Sequence, residues 1–215
     1  MTMIALFVAS AALAPALPVT AIDAERAFAA DAQKVGQWKS FRQWSTDDAV
    51  MFVPQPVNAH AFLNDRKEPA EAVKWAPSAS FVSCDGSMAV NTGPWTRNGG
   101  KSVGYFTTVW KRQPGGGWRW AYDGGDQLTV PRPLPSKPAQ RVADCRATKQ
   151  LASPAIVRPA GAKAPTSAGY GRSTDGTLFY SWRVTPAGAR EFSAYLWNGK
   201  RFDKVVDDRI AAAPK

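Results

Sequence analysis

The sequence predicts an α+β protein: helices first, then an antiparallel sheet, then a small β meander set apart by a proline-rich stretch. Three observations carry this expectation. Apolar residues recur at helical spacing only near the start of the chain. Strand-like runs punctuated by Asp-Gly, Asn-Gly-Gly and Pro-Gly-Gly-Gly turns fill most of the remainder. Residues 131–165 hold 7 of the 17 prolines and no aromatic residue, the composition of an extended linker rather than a packed element.

The elements follow in order. Asp23 offers a cap for a first helix, in which Ala24, Ala27, Phe28 and Val35 share a face. Gly36 interrupts it, and Trp38, Phe41 and Trp44 then mark a second short helix ended by Ser45-Thr46-Asp47-Asp48. Ala49 to Val53 reads as a strand closed by Pro54 and Pro56. A short helix or turn around Asn58 to Leu63 precedes the meander, whose strands centre on Val73–Trp75, Ser80–Cys84, Met88–Trp95, Lys101–Arg112 and Trp118–Asp123. After the linker, Thr177–Thr185, Glu191–Trp197 and Arg201–Val206 predict a three-stranded meander, too small at this size to stand alone.

The chain thus divides into 1–21, 22–130, 131–165 and 166–215. Ile4 to Leu17 is a 14-residue uncharged run, short of the roughly 20 apolar residues of a membrane span but suited to the core of a signal peptide. Val19-Thr20-Ala21 supplies the small residues of a cleavage site before Ile22, although no Lys or Arg precedes the run. The expected location is therefore periplasmic or secreted, with no membrane span after cleavage. An oxidising compartment leaves two readings of Cys84 and Cys145: one disulfide or two unpaired thiols.

The formal net charge is +10, but its distribution argues against a nucleic-acid partner. Residues 22–130 carry 12 basic and 11 acidic side chains, whereas residues 131–165 carry 7 and 1. Nucleic-acid binders combine basic and stacking residues on one surface. Here the charge sits in the aromatic-free linker, while seven of nine tryptophans lie in the nearly neutral first region.

Three stretches carry a family resemblance: ERAFAADAQKVGQWKSFRQWSTDDAVMFV at 25–53, GYFTTVWKR at 104–112 and GGWRWAYD at 116–123. Their order resembles the nuclear transport factor 2-like superfamily, which includes ketosteroid isomerases, scytalone dehydratases and SnoaL-like cyclases. The resemblance implies a cone: a strongly curved antiparallel sheet wrapped on the N-terminal helices, with a cavity at its open end. It also implies that a homodimer could form through the sheet.

The resemblance sharpens what is missing. Where ketosteroid isomerases place an aspartate base before the proline ending the first strand, this chain has Val53 before Pro54. Phe28 and Ala29 occupy the neighbourhood of the helix-1 tyrosine. That mechanism cannot be assembled. His60 is the only histidine and belongs to no cluster with metal-ligand spacing, so no metal or other cofactor is expected. It is a candidate acid or base, or a surface residue of a turn. Asp123 matches an aspartate common at the end of the last strand in SnoaL-like domains. Asp123 and Asp126 are acid–base candidates, with Tyr105 beside them, or parts of a solvated Asp-Gly-Gly-Asp turn. Trp38, Trp44, Phe52, Phe62, Tyr105 and Trp120 are candidates to line a ligand cavity, or to fill the core.

The leading functional expectation is an exported protein that binds a small apolar or aromatic molecule in the cone without catalysis. The alternatives are a lyase or cyclase using Asp123 with His60 or Tyr105, and an envelope protein-interaction module built from linker and C-terminal meander.

Overall fold

A computed structural model describes Leu17, residues 19–146, Leu151 and residues 167–212. The apolar run from Ile4, apart from Leu17, and most of the linker after Arg146 lie outside the described residues. Helix α1 (Ala21–Val35) turns Ala21, Ala24, Glu25, Phe28 and Ala32 inward, one per helical turn or nearly so. Its cap is Thr20, not Asp23: the Thr20 hydroxyl accepts the Asp23 backbone N–H and donates to the Asp23 carboxylate. Asp23 therefore sits in the first turn, where a negative charge favours the helix N-terminus. The expected cleavage point before Ile22 falls inside this turn, and the Ala21 carbonyl is bonded by the Asn91 amide. Helix α2 (Gln37–Trp44) follows, its first N–H groups received by the Glu68 carboxylate.

Ser45-Thr46-Asp47-Asp48 begins strand β1 (Ser45–Phe52) rather than ending a helix. Then come β2 (Pro56–Asn58), α3 (Ala59–Leu63, capped by Asn58), β3 (Lys74–Trp75) and β4 (Ala79–Val82). The three long strands are β5 (Met88–Arg97), β6 (Ser102–Arg112) and β7 (Trp118–Leu128). Strand β8 (Ala139–Val142) pairs in parallel with β4, so part of the proline-rich stretch packs after all. The sheet order is β2-β1-β7-β6-β5-β4-β8, with β3 on β5, and because β1 runs parallel to β7 the sheet is mixed rather than the antiparallel one expected. Strand β7 outruns its sequence-based end at Asp123, because Asp123-Gly124-Gly125-Asp126 pairs with Thr108 to Tyr105. Glycine is required there: a Cβ on Gly125 would sit 2.0 Å from the Tyr105 carbonyl oxygen.

The C-terminal unit has four strands, not three: β9 (Ser167–Arg172), β10 (Leu178–Val184), β11 (Arg190–Trp197) and β12 (Phe202–Ile210). Strand β9 lacks an apolar alternation because Gly169 and Gly171 lie beneath the rings of Trp182 and Tyr180; a Cβ at either would come within 2.6 Å of its ring.

Both faces of β5–β7 are covered. On the inner face Ala89, Trp110 and Trp120 pack with Phe28, Phe41 and Met51 from the helices and β1. On the outer face Met88, Val90, Val109 and Tyr122 meet Leu178, Tyr180, Phe192, Ala194, Leu196 and Val206 of the second sheet. The face through which a homodimer is expected thus carries the chain's own C-terminal strands.

Four strands of the large sheet match the second sheet in order: β7-β6-β5-β4 in one, β12-β11-β10-β9 in the other. Their first turns repeat a pattern, Ser83-Cys84-Asp85-Gly86-Ser87-Met88 and Ser173-Thr174-Asp175-Gly176-Thr177-Leu178. These turns grip each other reciprocally. Asp85 N–H donates to Asp175 Oδ2 at 2.9 Å and Asp175 N–H to Asp85 Oδ2 at 3.0 Å. Cys84 N–H donates to Thr177 Oγ1 and Thr174 N–H to Ser87 Oγ, the same exchange one residue earlier. The two turns are therefore related by a local pseudo-twofold. The Cys84–Cys145 disulfide ties this junction to the segment after β8, whose Asp144 N–H bonds the Trp197 carbonyl of β11.

The reciprocal grip predicts non-additive stability. Asp85→Ala and Asp175→Ala should each cost about 1 kcal/mol in urea unfolding. The double variant should cost less than the sum by about 0.5 kcal/mol or more, since one aspartate positions the turn that the other caps. Strict additivity would show that the two turns are independent.

Candidate functional site

A cavity of about 340 Å³ opens at the wide end of the cone. Phe28 of α1 and Trp38 and Phe41 of α2 form its helical side, with Met51, Phe52, Val53 and Pro54 from the end of β1. Val73, Trp75, Trp95 and Phe106 close the opposite side. The cavity exists because pairing between β1 and β7 stops at Met51–Asp123. Beyond that point β7 has a free edge carrying Gly124, Gly125, Asp126 and Gln127, all in the cavity wall. Glycines thin the wall, and the cavity reaches around the edge to Tyr105 and to Arg190 of the second sheet.

Asp123 is the group most changed by this setting. It is half-buried on the inner face, and burial pushes its carboxyl up to about 7. The Thr108 hydroxyl, donating at 2.9 Å, pulls the other way, and the buried Glu25 charge adds to the rise. Glu25 lies deeper, with no exposed surface. Burial pushes it up to about 7 as well, against donors from the Trp110 and Trp75 indoles and the Asn91 amide. Through Trp75 it braces a ring of the cavity wall. Tyr105 is also pushed up, by burial and then by the Asp208 charge, so its hydroxyl stays neutral.

Of the six aromatic residues expected from sequence to line a cavity, Trp38, Phe52 and Tyr105 do so. Trp120 is fully buried beneath Phe28 and Phe41. Trp44 is turned aside, its indole bonded to Asp31 and its ring against Trp110. Phe62 lies on α3 under the Arg66 guanidinium. Asp123 and Asp126 share the cavity with Tyr105, but His60 does not. It belongs to a separate open cleft with Lys39, Asp47, Asp48 and Arg119, its Nε2 3.9 Å from Asp47. In β6 the structure puts Phe106, Thr108 and Trp110 inward, with Val109 in the outer core.

The residues missed from sequence are Glu25, Trp75, Trp95, Arg97 and Arg190. Glu25 carried a signal, an acidic residue directly beside Ala24 on the apolar face of α1. Arg190 had none, because its position depends on how the second sheet docks. Among the described residues no group of three or more His, Cys, Asp or Glu side chains is placed to hold a metal, and no helix is long and apolar enough to cross a membrane.

The helices enclosed by a curved sheet, open at one end, settle the architecture. This is the arrangement of helices on a curved sheet that the sequence resemblance implies. No family model and no curated protein matches the chain. Among solved structures it is similar to a "putative ketosteroid isomerase" of Parabacteroides distasonis, 15% identical, covering 53% of this chain and 92% of the other with a TM-score of 0.44. It is also similar to a protein of unknown function from the DUF3225 family of Pectobacterium atrosepticum, 16% identical over 46% of this chain and 82% of the other, TM-score 0.37. A cystatin-like fold protein of Burkholderia xenovorans is 14% identical over 50% and 84%, TM-score 0.36. Each of these matches covers about half of this chain.

The raised Asp123 carboxyl gives a stability prediction with a definite sign. A carboxyl that holds its proton more tightly folded than unfolded stabilises the fold most where it is protonated. That stability is present below the unfolded value of about pH 4 and is lost as pH rises toward 7. Asp123→Asn, which keeps an acceptor for Thr108, should shrink the fall in unfolding free energy between pH 4 and pH 8 and stabilise the protein at pH 8. An unchanged pH dependence would show that Asp123 is ordinarily solvated.

Proposed function

We propose that the cone binds a small, mostly apolar or aromatic molecule in its cavity, and that binding rather than catalysis is the activity. The observation that carries this is the cavity of about 340 Å³ walled by aromatic rings, within the usual range for small-molecule sites. The absence of a base at Val53, which lines the wall, and the placement of His60 in another cleft support the non-catalytic half of the reading. The reading carries with it a location outside the cytoplasm, periplasmic or secreted, supported by the apolar run Ile4–Leu17 and the Cys84–Cys145 disulfide.

One observation favours a second reading. A cavity-wall carboxyl at about 7, with a neutral tyrosine hydroxyl in the same cavity, is suited to proton transfer near neutral pH. In that case Asp123 would be the acid or base of a lyase- or cyclase-type reaction, with Tyr105 as a hydrogen-bond donor.

Trp38, Trp75 and Trp95 report on the site directly. Titration with a panel of lipids, steroids and phenolics should change tryptophan emission for at least one compound. Val73→Trp, which puts a large ring into the cavity wall, should abolish that change without altering the melting temperature by more than a few degrees. No response from any compound would sink the binding reading. Turnover of a bound compound that is lost in Asp123→Asn, with binding retained, would establish the second reading instead.

A further inference from the structure

We infer that the molecule held in the cone is an anion, an apolar or aromatic body bearing one carboxylate-like head, and that the second sheet supplies the cation that receives the head. The inference rests on the binding reading above and names its ligand class. Arg190 opens strand β11, lines the cavity and is half-buried there. Its guanidinium lies over the Phe52 ring, 5.5 Å from the centroid. Among the described residues no carboxylate comes within salt-bridge distance of it. Neighbouring arginines of the second sheet are differently placed: Arg183 pairs with Glu191 at 2.7 Å, and Arg201 and Arg209 pair with Asp203 and Asp207. Arg132, at the same junction of the two sheets, is met by the buried Asp208 at 3.8 Å.

A half-buried guanidinium with five donors and no acidic partner, facing an aromatic cavity, is a receptor for a planar anion. Arg97, stacked on Trp95 at the exposed rim, adds positive charge where such a ligand would enter. Asp123 and Asp126 also line the cavity, so the preference for an anion rests on the position of Arg190 and not on the net charge of the wall. Asp126 already receives the Gln127 backbone N–H, and Asp123 faces inward from the other side of the β7 edge, bonded by Thr108. The apolar body would then lie among Phe28, Trp38, Phe41 and Trp75, with its head turned around the free edge of β7 toward Arg190. The cone domain alone could not build this site, because its cation comes from the C-terminal unit.

The test uses the full chain and three probes of one shape: 2-naphthoate, neutral 2-naphthamide and cationic 2-naphthylmethylammonium, compared by calorimetry at pH 7.5. The inference expects 2-naphthoate to bind about tenfold or more tighter than the amide, the scale of one charge-assisted contact. Arg190→Gln should bring naphthoate binding down to the level of the amide, while Arg190→Lys keeps part of the preference. Equal binding of naphthoate and amide, tighter binding of the ammonium, or an equal loss for all probes in Arg190→Gln would overturn the inference and leave the cavity reading standing. No binding of any probe would overturn both.

Discussion

Strands β5, β6 and β7 have no face left for water, and the rest of the molecule is arranged around that constraint. A sheet with two apolar faces needs two covers. The helices and β1 supply one, through the Phe28–Phe41–Trp110–Trp120 cluster. The second sheet supplies the other, with Phe192 packed on Tyr122 at 4.5 Å between ring centres. Polar ties fix the register of the layers where apolar contact alone would let them slide. Asp208 of β12 accepts from Thr107 of β6 at 2.7 Å, and the twinned Asp-Gly turns clasp at one end. The cavity is what remains where this covering is incomplete, past the point at which β1 leaves β7.

The same double covering explains why two carboxylates sit so far from their ordinary protonation range. Glu25 is placed by helical periodicity on the buried face of α1, where only hydrogen bonds can offset its lost hydration. Two indoles and one amide do so, and they hold Trp110 and Trp75 in fixed orientations. Asp123 is the last β7 residue paired with β1 and the first at the cavity. The site and the core thus share a wall, and the charge on one carboxylate raises the other.

The order of elements was legible in the sequence because turns announce themselves: Asp-Gly, Asn-Gly-Gly and Pro-Gly-Gly-Gly all fall between strands. The same habit misled at Asp123-Gly124-Gly125-Asp126, where glycine serves close backbone approach within a strand and not a turn. Strand β9 was hidden for a related reason, its alternate side chains replaced by rings from β10. Strand β8 was hidden because its four residues are exposed and pair through the backbone alone. Within the site, Trp38, Phe52 and Tyr105 were among the rings the sequence offered for a cavity or for the core, and Asp123, through the family resemblance, and Asp126 among its acid–base candidates or a solvated turn. Trp44, Phe62 and Trp120 could not be sorted from them, since residue type does not say whether a ring faces a cavity or another ring. Arg190 lay beyond reach, because docking between sheets leaves no local trace.

The central claim is that cone and second sheet together form one ligand site. A crystal structure of the full chain soaked with 2-naphthoate tests it most directly. Density is expected for the ring between Trp38 and Trp75, with the carboxylate against the Arg190 guanidinium. Density for the ring in that cavity with the carboxylate turned to bulk solvent, or no density there at saturating probe, would contradict it.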